Sequence, residues 1–107
     1  MSRETVAIRL RLYITGDGPL TVSARSSVDA IRDRVGGDCE IEIVDVLEDP
    51  DTAEREQVLA TPTLERLDPP PRLRVVGDLT DLDRALDGLG LRVWRDDENH
   101  GPTESPR

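Results

Sequence analysis

The sequence predicts an α/β domain with a mixed four-stranded sheet and the element order β-α-β-α-β-β-α. In the first half, two stretches of alternating apolar and polar residues flank a stretch with apolar residues at helical spacing, which predicts a β-α-β unit. Such a unit closes with parallel strands and a right-handed crossover. In the second half, two alternating stretches are joined by only a few residues, which suits an antiparallel pair. The sheet is therefore expected to be parallel in its first half and antiparallel in its second.

The first strand and the first helix are predicted from the N-terminal third of the chain. Apolar side chains alternate with others over residues 6–14, as expected of a strand with one apolar face. The segment GDGP at 16–19 ends this strand and puts Pro19 in a first helical turn, where proline is tolerated. Gly36 and Gly37 are expected to end the helix. Its apolar stripe consists of Ala24, Val28, Ile31 and Val35.

The second strand and the second helix are predicted from residues that follow directly. Alternation from Cys39 and the run IVDVL predict a strand over 39–47. Asp49 is a candidate N-cap, and Pro50 fits the first helical position. This helix is expected to be short and to run to about Leu59.

Two further strands are predicted on either side of a run of prolines. The stretches TLERL at 63–67 and RLRVV at 72–76 alternate in polarity, and DPPP at 68–71 separates them. Because proline cannot donate to a strand ladder, these strands are limited to short or edge pairing.

A last helix and a polar tail complete the chain. Thr80 is a candidate N-cap, with Asp83 three residues later. Residues 1–94 are expected to form one domain, because 107 residues are too few for two ordinary ones. Residues 95–107 are polar and are expected to be a disordered tail. The helical stripe consists of Leu82, Leu86 and Leu89.

The composition narrows the classes of partner. The net charge is −9 and every basic residue is arginine, so an acidic surface without a basic tract argues against nucleic acid and membrane partners.

No apolar run has the length of a membrane span, and the N-terminus leads into a strand pattern instead of a signal-peptide core, which predicts a cytoplasmic protein. Phe is absent, so an aliphatic core is expected, with Tyr13 and Trp94 as its only large rings.

The element order is that of the thioredoxin-like fold, but the chemistry of a thioredoxin is missing. Where a redox cysteine pair would stand, residues 16–19 offer a glycine turn, and Cys39 is the only cysteine of the chain. The turn could instead cradle a phosphate, yet no complete glycine motif or Walker lysine accompanies it. His100, the only histidine, lies in the tail, and paired acids are expected by chance among 23 carboxylates. No catalytic residue, metal site or cofactor is predicted.

The prolines allow two interpretations. Thr-Pro-Thr at 61–63 falls where thioredoxin-like folds place a cis proline before the third strand, and Pro69, Pro70 and Pro71 follow soon after. They could form a rigid connection. Alternatively, since X-Pro bonds isomerise over tens to hundreds of seconds, they could hold two backbone states apart.

Several motifs resemble a known family in order and with nearly matching spacing. They are LYITG (12–16), IVDVL (43–47), DP (49–50), VLATPTL (58–64), PPPRLR (69–74), VVGDLT (75–80) and GL (88–89). On these residues the chain resembles the KaiB family of circadian-clock proteins from about Ala7 to Leu89.

The resemblance implies a non-enzymatic module that binds a KaiC-like ring ATPase, then captures a KaiA-like protein and displaces the sensor domain of a histidine kinase. It also implies a resting fold of order β-α-β-β-α-α-β, usually in dimers or tetramers, in which the second half refolds. Candidate fold-switch residues in that half are Pro62, Pro69, Pro70, Pro71, Gly77, Asp78, Gly88 and Gly90.

Departures from the family pattern leave alternatives open. Ser23, Glu42 and Gln57 stand where relatives carry basic partner-facing residues, so they are candidate partner-binding positions with altered charge. Gly90 replaces a common acidic residue, and Val93 replaces a common aromatic one. A stand-alone thioredoxin-like sensor or adaptor of a kinase or stress pathway, without fold switching, is the second hypothesis. A redox or phosphate-binding enzyme is the third.

Overall fold

A computed structural model describes residues 7–36 and 38–91. The elements in this part of the chain follow the predicted order β-α-β-α-β-β-α. They are β1 (Ile8–Ile14), α1 (Pro19–Val35), β2 (Cys39–Asp45), α2 (Pro50–Arg55), β3 (Thr63–Asp68), β4 (Leu73–Val76) and α3 (Leu82–Gly88).

The strands form one four-stranded sheet in the order β2-β1-β3-β4. β1 and β2 are parallel, whereas β3 pairs antiparallel with β1 and β4 pairs antiparallel with β3. The mixed sheet predicted from the sequence is confirmed. The structure has the thioredoxin-like order and not the order β-α-β-β-α-α-β that the family resemblance implies for a resting fold.

The two faces of the sheet differ in polarity. Leu10, Leu12 and Ile14 alternate onto the face that packs against α1 and α3 and are buried in the main core. Arg9 and Arg11 alternate onto the opposite face, where Arg11 pairs with Glu42 of β2 at 2.9 Å. The predicted aliphatic core is confirmed, and Tyr13 is fully buried. The core residues on the helices and after β4 are Ala24, Val28, Ile31, Leu79, Ala85, Leu86 and Leu89.

The second strand and the second helix end earlier than the sequence predicts. β2 ends at Asp45 instead of Leu47, because the Asp45 carboxylate accepts hydrogen bonds from the Leu47 and Gly16 amides at 3.0 and 3.2 Å and turns the chain. α2 ends at Arg55 instead of about Leu59.

The N-cap predicted for α3 is wrong by one residue. Thr80 donates both its amide and its hydroxyl hydrogen to Asp78 Oδ1, at 2.9 and 2.7 Å, and belongs to the turn that precedes the helix. Asp81 is the cap instead, and its carboxylate accepts from the Arg84 amide at 3.1 Å. The predicted cap of α2 is confirmed, since Asp49 accepts from the Thr52 amide at 3.2 Å.

Some predictions fall outside the described residues: the role of Gly37, the position of Trp94 and the tail at 95–107. In the part of the chain that the structure describes, no helix has the length and apolar character needed to span a membrane.

Candidate functional site

The turn that replaces a thioredoxin active site lies far from the single cysteine. Residues 16–19 follow the carboxyl end of β1, whereas Cys39 begins the parallel strand β2 and is aligned with Ile8 at the other end of the sheet. Burial raises the pKa of the Cys39 thiol above its usual value and so disfavours the reactive thiolate. The residues at this turn offer no thiol chemistry.

Several exposed apolar side chains lie at the end of the sheet where β1 and β2 have their carboxyl ends, which is the end that carries the glycine turn. Leu20 and Leu47 follow the carboxyl ends of the parallel strands β1 and β2, and they are 69% and 67% exposed. Leu59, 95% exposed, precedes the antiparallel strand β3, and Val76 ends β4 beside the start of β3. Topology therefore brings four of the six exposed large apolar residues in the described part of the chain to one end of the sheet. We call Leu20, Leu47, Leu59 and Val76 the apolar end.

A shallow groove adjoins the apolar end at Leu59, the one member of the apolar end that lines it. The Thr15 and Thr61 hydroxyls also line the groove, and they hydrogen-bond to each other at 2.6 Å and tie the residue after β1 to the segment before β3. The groove is open to solvent and can accept a protein surface more readily than enclose a small molecule. It is lined by Thr15, Val46, Pro50, Ala53, Val58, Leu59, Ala60 and Thr61.

The three predicted partner-binding residues do not form one cluster. Ser23 is on α1 and lines a second groove, together with Thr80 and Leu82. Glu42 lies on the opposite face of the sheet, paired with Arg11. Gln57 follows α2 with φ +57°, beside the apolar end. Gln57 lies two residues before Leu59, and Ser23 lies one helical turn after Leu20 on α1.

The predicted proline positions surround β3. Pro62 is buried directly before β3, and its carbonyl accepts a hydrogen bond from the Gly77 amide at 2.9 Å. Pro69, Pro70 and Pro71 form the connection from β3 to β4. The Thr61-Pro62 bond is cis, as predicted, and so are Asp68-Pro69 and Pro70-Pro71.

Gly77 and Asp78 shape the turn between β4 and α3. Gly77 has φ +97°, a region that side chains rarely adopt. Hydrogen bonds from the Thr80 amide and then its hydroxyl stabilise the carboxylate of Asp78 and lower its pKa. These residues direct the chain from the sheet edge to Leu79 in the core.

Gly88 and Gly90 lie where α3 packs on the sheet. A Cβ at Gly88 would stand 2.7 Å from Val75 Cγ2, so α3 can approach β4 only because this side chain is missing. A Cβ at Gly90, where φ is +68°, would stand 3.1 Å from the Arg66 guanidinium and 3.4 Å from Leu73. Both glycines are thus required by contacts of the second half of the fold.

Arg66, which was not predicted from the sequence, connects β3 with the end of α3 and with the proline connection between β3 and β4. Its Nη1 donates to the Leu89 carbonyl at 2.9 Å and its Nη2 to the Pro71 carbonyl at 3.0 Å. The residue is 7% exposed, and its Nε has no hydrogen-bond partner among the described residues. A signal was present in the sequence: in a strand, Arg66 shares the face of Leu64.

A second group of charges that sequence reasoning missed joins β4 to α2 on the polar face. Glu65 of β3 is buried, and Arg72 Nε lies 3.1 Å from its carboxylate. Arg74 Nη2 lies 3.5 Å from the other carboxylate oxygen of Glu65 and donates to the Glu56 carbonyl at 2.6 Å. The end of α2 is thereby held by a strand of the second half.

The N-cap of α2 predicts a pH dependence. Hydrogen bonds from the Thr52 hydroxyl and then its amide hold the pKa of Asp49 below its usual value. A carboxyl whose folded-state pKa is depressed stabilises the fold at pH values above its unfolded-state pKa of about 3.9. This stabilisation is lost as the pH falls through the lower pKa of the folded state. We expect the Thr52 amide shift in NMR spectra to titrate with a midpoint below about 3.9. A midpoint at or above that value, or a titration that persists in Asp49→Asn, would contradict the assigned cap.

The fold and the missing thiol pair define the class of protein. Among solved structures, the N-terminal domain of Synechococcus elongatus SasA is similar with a TM-score of 0.70, 18% identity and coverage of 89% of this chain and 90% of that one. The Drosophila thioredoxin Deadhead is similar with a TM-score of 0.61, 21% identity and coverage of 78% and 81%. The chain is therefore a thioredoxin-like domain, and with one cysteine it has no redox pair.

Its sequence relatives identify the family. Residues 11–91 match the KaiB domain, and the chain belongs to the KaiB family. Circadian clock oscillator protein KaiB of Nostoc is 40% identical over 92 residues, 85% of each chain. That of Prochlorococcus marinus strain MIT 9303 is 40% identical over 83 residues, 77% of this chain and 70% of the relative. The resemblance drawn from the motifs is confirmed.

Proposed function

We propose that this chain is a non-enzymatic clock or signalling module that binds a KaiC-like ring ATPase and regulates it. Membership of the KaiB family supports this assignment, since the relatives are named circadian clock oscillator proteins. The thioredoxin-like arrangement is the partner-binding form in this proposal, and the docking surface is the apolar end.

The observation that carries the proposal is the exposure of Leu47 and Leu59 at the apolar end. Exposed apolar side chains gathered at one end of a domain mark a candidate site of protein contact, because their burial in a complex is favourable. Gln57 adjoins this surface and contacts the ATPase in the proposed complex.

Fold switching belongs to the same proposal. Two folds that differ by a few kcal/mol can be exchanged by a partner that binds one of them better. Gly88 and Gly90 support a switch in the second half, because the packing of α3 depends on both of them. We further propose that the resting form is a homodimer or homotetramer, and that a KaiA-like protein or a sensor histidine kinase is a second partner.

Leu59→Asp is expected to weaken binding to the ring ATPase at least tenfold, because it places a charge in a buried apolar contact. The measurement is co-elution of the purified chain with the KaiC-like ATPase of its own genome, with ATP and at native salt, followed over hours. Arg32→Gln, at the opposite end of α1, changes the net charge by the same one unit and is the control.

Equal loss in both variants would assign the effect to net charge and contradict the docking surface. No complex with the wild-type chain in any nucleotide state, together with capture of a kinase, would favour the adaptor hypothesis over the ring ATPase.

A further inference from the structure

The segment that presents Leu59 has little apolar anchoring of its own. None of the residues of α2 is buried, and the helix has only six of them. Directly after it, Gln57 adopts φ +57°, a left-handed conformation that costs about 1 kcal/mol or more in a residue with a side chain. Such a conformation persists only when surrounding contacts fix it.

The left-handed conformation belongs to the cap of α2, in which the Gln57 amide donates to the Glu54 carbonyl at 3.1 Å and the Val58 amide donates to the Ala53 carbonyl at 2.9 Å. Arg74 of β4 holds this cap from outside. Its Nη2 donates to the Glu56 carbonyl at 2.6 Å, and its Nη1 donates to the Gln57 carbonyl at 3.3 Å. A guanidinium is suited to this task, because its planar fork can serve two acceptors at once and its charge strengthens each bond. These carbonyls belong to the residues at which the chain leaves α2.

Arg74 is itself held by the pairing of β3 with β4. The register places Arg74 opposite Glu65, whose carboxylate is buried and receives Arg74 at 3.5 Å and Arg72 at 3.1 Å. Arg72 adds a contact of its own to the Glu56 carboxylate at 3.2 Å. If β4 left its place beside β3, both arginines would leave the end of α2.

We propose that Arg74 is a positioning residue that couples the β3–β4 pairing to the presentation of Leu59, so that the apolar end is competent for its partner only while this strand pair is formed. The part of the proposal that concerns the partner rests on the proposed function. The coupling itself does not, since it concerns contacts within the free chain.

The test compares Arg74→Met with Arg9→Met. Arg9 lies on the same face of the sheet and pairs with Asp68 at 2.9 Å, so its removal matches the loss of an arginine ion pair without touching α2. In the free protein, hydrogen exchange at the Gln57 and Val58 amides reports on the end of α2. These amides donate to the Glu54 and Ala53 carbonyls. We expect Arg74→Met to speed their hydrogen exchange about tenfold, with the β1 amides unchanged, and Arg9→Met to leave both unchanged.

The second readout is affinity for the ring ATPase. Arg74→Met is expected to weaken this affinity about tenfold, and Arg9→Met is expected to change it little. Arg74→Lys, which keeps the charge but not the fork, should fall between them, and it replaces Arg74→Met if that variant does not fold. Unchanged exchange at Gln57 and Val58 would overturn the coupling. Faster exchange with unchanged affinity would overturn the positioning role, whereas failure of the wild-type chain to bind would overturn the proposed function alone.

Discussion

Arg66→Ala is expected to lower the free energy of unfolding by about 3 kcal/mol. The substitution leaves the Leu89 and Pro71 carbonyls without the donors that now lie 2.9 and 3.0 Å away. Leu89 is fully buried, and a buried acceptor left unpaired costs roughly 1–3 kcal/mol, whereas Pro71 is exposed. It also opens a cavity between α3 and the sheet, because the side chain is buried.

Urea unfolding followed by circular dichroism measures this loss. Arg66→Met keeps most of the apolar volume but offers no donor. Its free energy of unfolding should therefore lie between that of Arg66→Ala and that of the wild type. A loss below about 1 kcal/mol in Arg66→Ala would show that the two carbonyls find other partners, and that Arg66 does not hold α3 to the proline connection.

Gly88→Ala is expected to destabilise the thioredoxin-like fold by about 2 kcal/mol, within the usual range for overpacking. The new Cβ would stand 2.7 Å from Val75 Cγ2, and valine is stiff about χ1, so α3 must move away from β4. Elsewhere in a helix, replacing glycine with alanine is stabilising, which makes the sign of this prediction specific to the contact.

A double-mutant cycle with Val75→Ala isolates the contact. Val75→Ala removes the methyl group that the new Cβ meets, so Gly88→Ala should cost much less in that background, with a coupling of about 1 kcal/mol or more. Gly18→Ala is the control, since nothing lies within 4 Å of a Cβ there. Additive effects of Gly88→Ala and Val75→Ala would contradict the packing described for α3.

The periodicity of the sequence was enough to predict the element order and the mixed sheet, because each strand and helix has one apolar face. The ends of elements were predicted less well, since they depend on single side chains that bond to the backbone. Asp45 ends β2 by accepting from Leu47. The cap of α3 is Asp81, which accepts from the Arg84 amide, while Thr80 donates to Asp78 in the turn before it. An aspartate that turns the chain and one that is simply solvated look alike in a sequence.

Of the proposed docking surface, the sequence pointed only to positions beside it, such as Gln57. Fold-switch candidates came from the resemblance and stay a prediction, while the structure shows that Gly88 and Gly90 lie in the α3 contact. The apolar end could not be predicted, because Leu47 and Leu59 are separated along the chain, and it takes the pairing of β1 with both β2 and β3 to bring them to the same end of the sheet. Arg74 was also missed, since its acceptors are main-chain carbonyls, which leave no trace in side-chain patterns.

The most direct test of the account is methyl NMR of the labelled chain bound to the KaiC-like ring ATPase. Leu12, Leu64 and Val75 are consecutive partners across β1, β3 and β4. If the thioredoxin-like arrangement is the partner-binding form, the complex will show methyl contacts between Leu12 and Leu64 and between Leu64 and Val75. A complex that forms without these contacts would mean that another fold of this chain binds the ring.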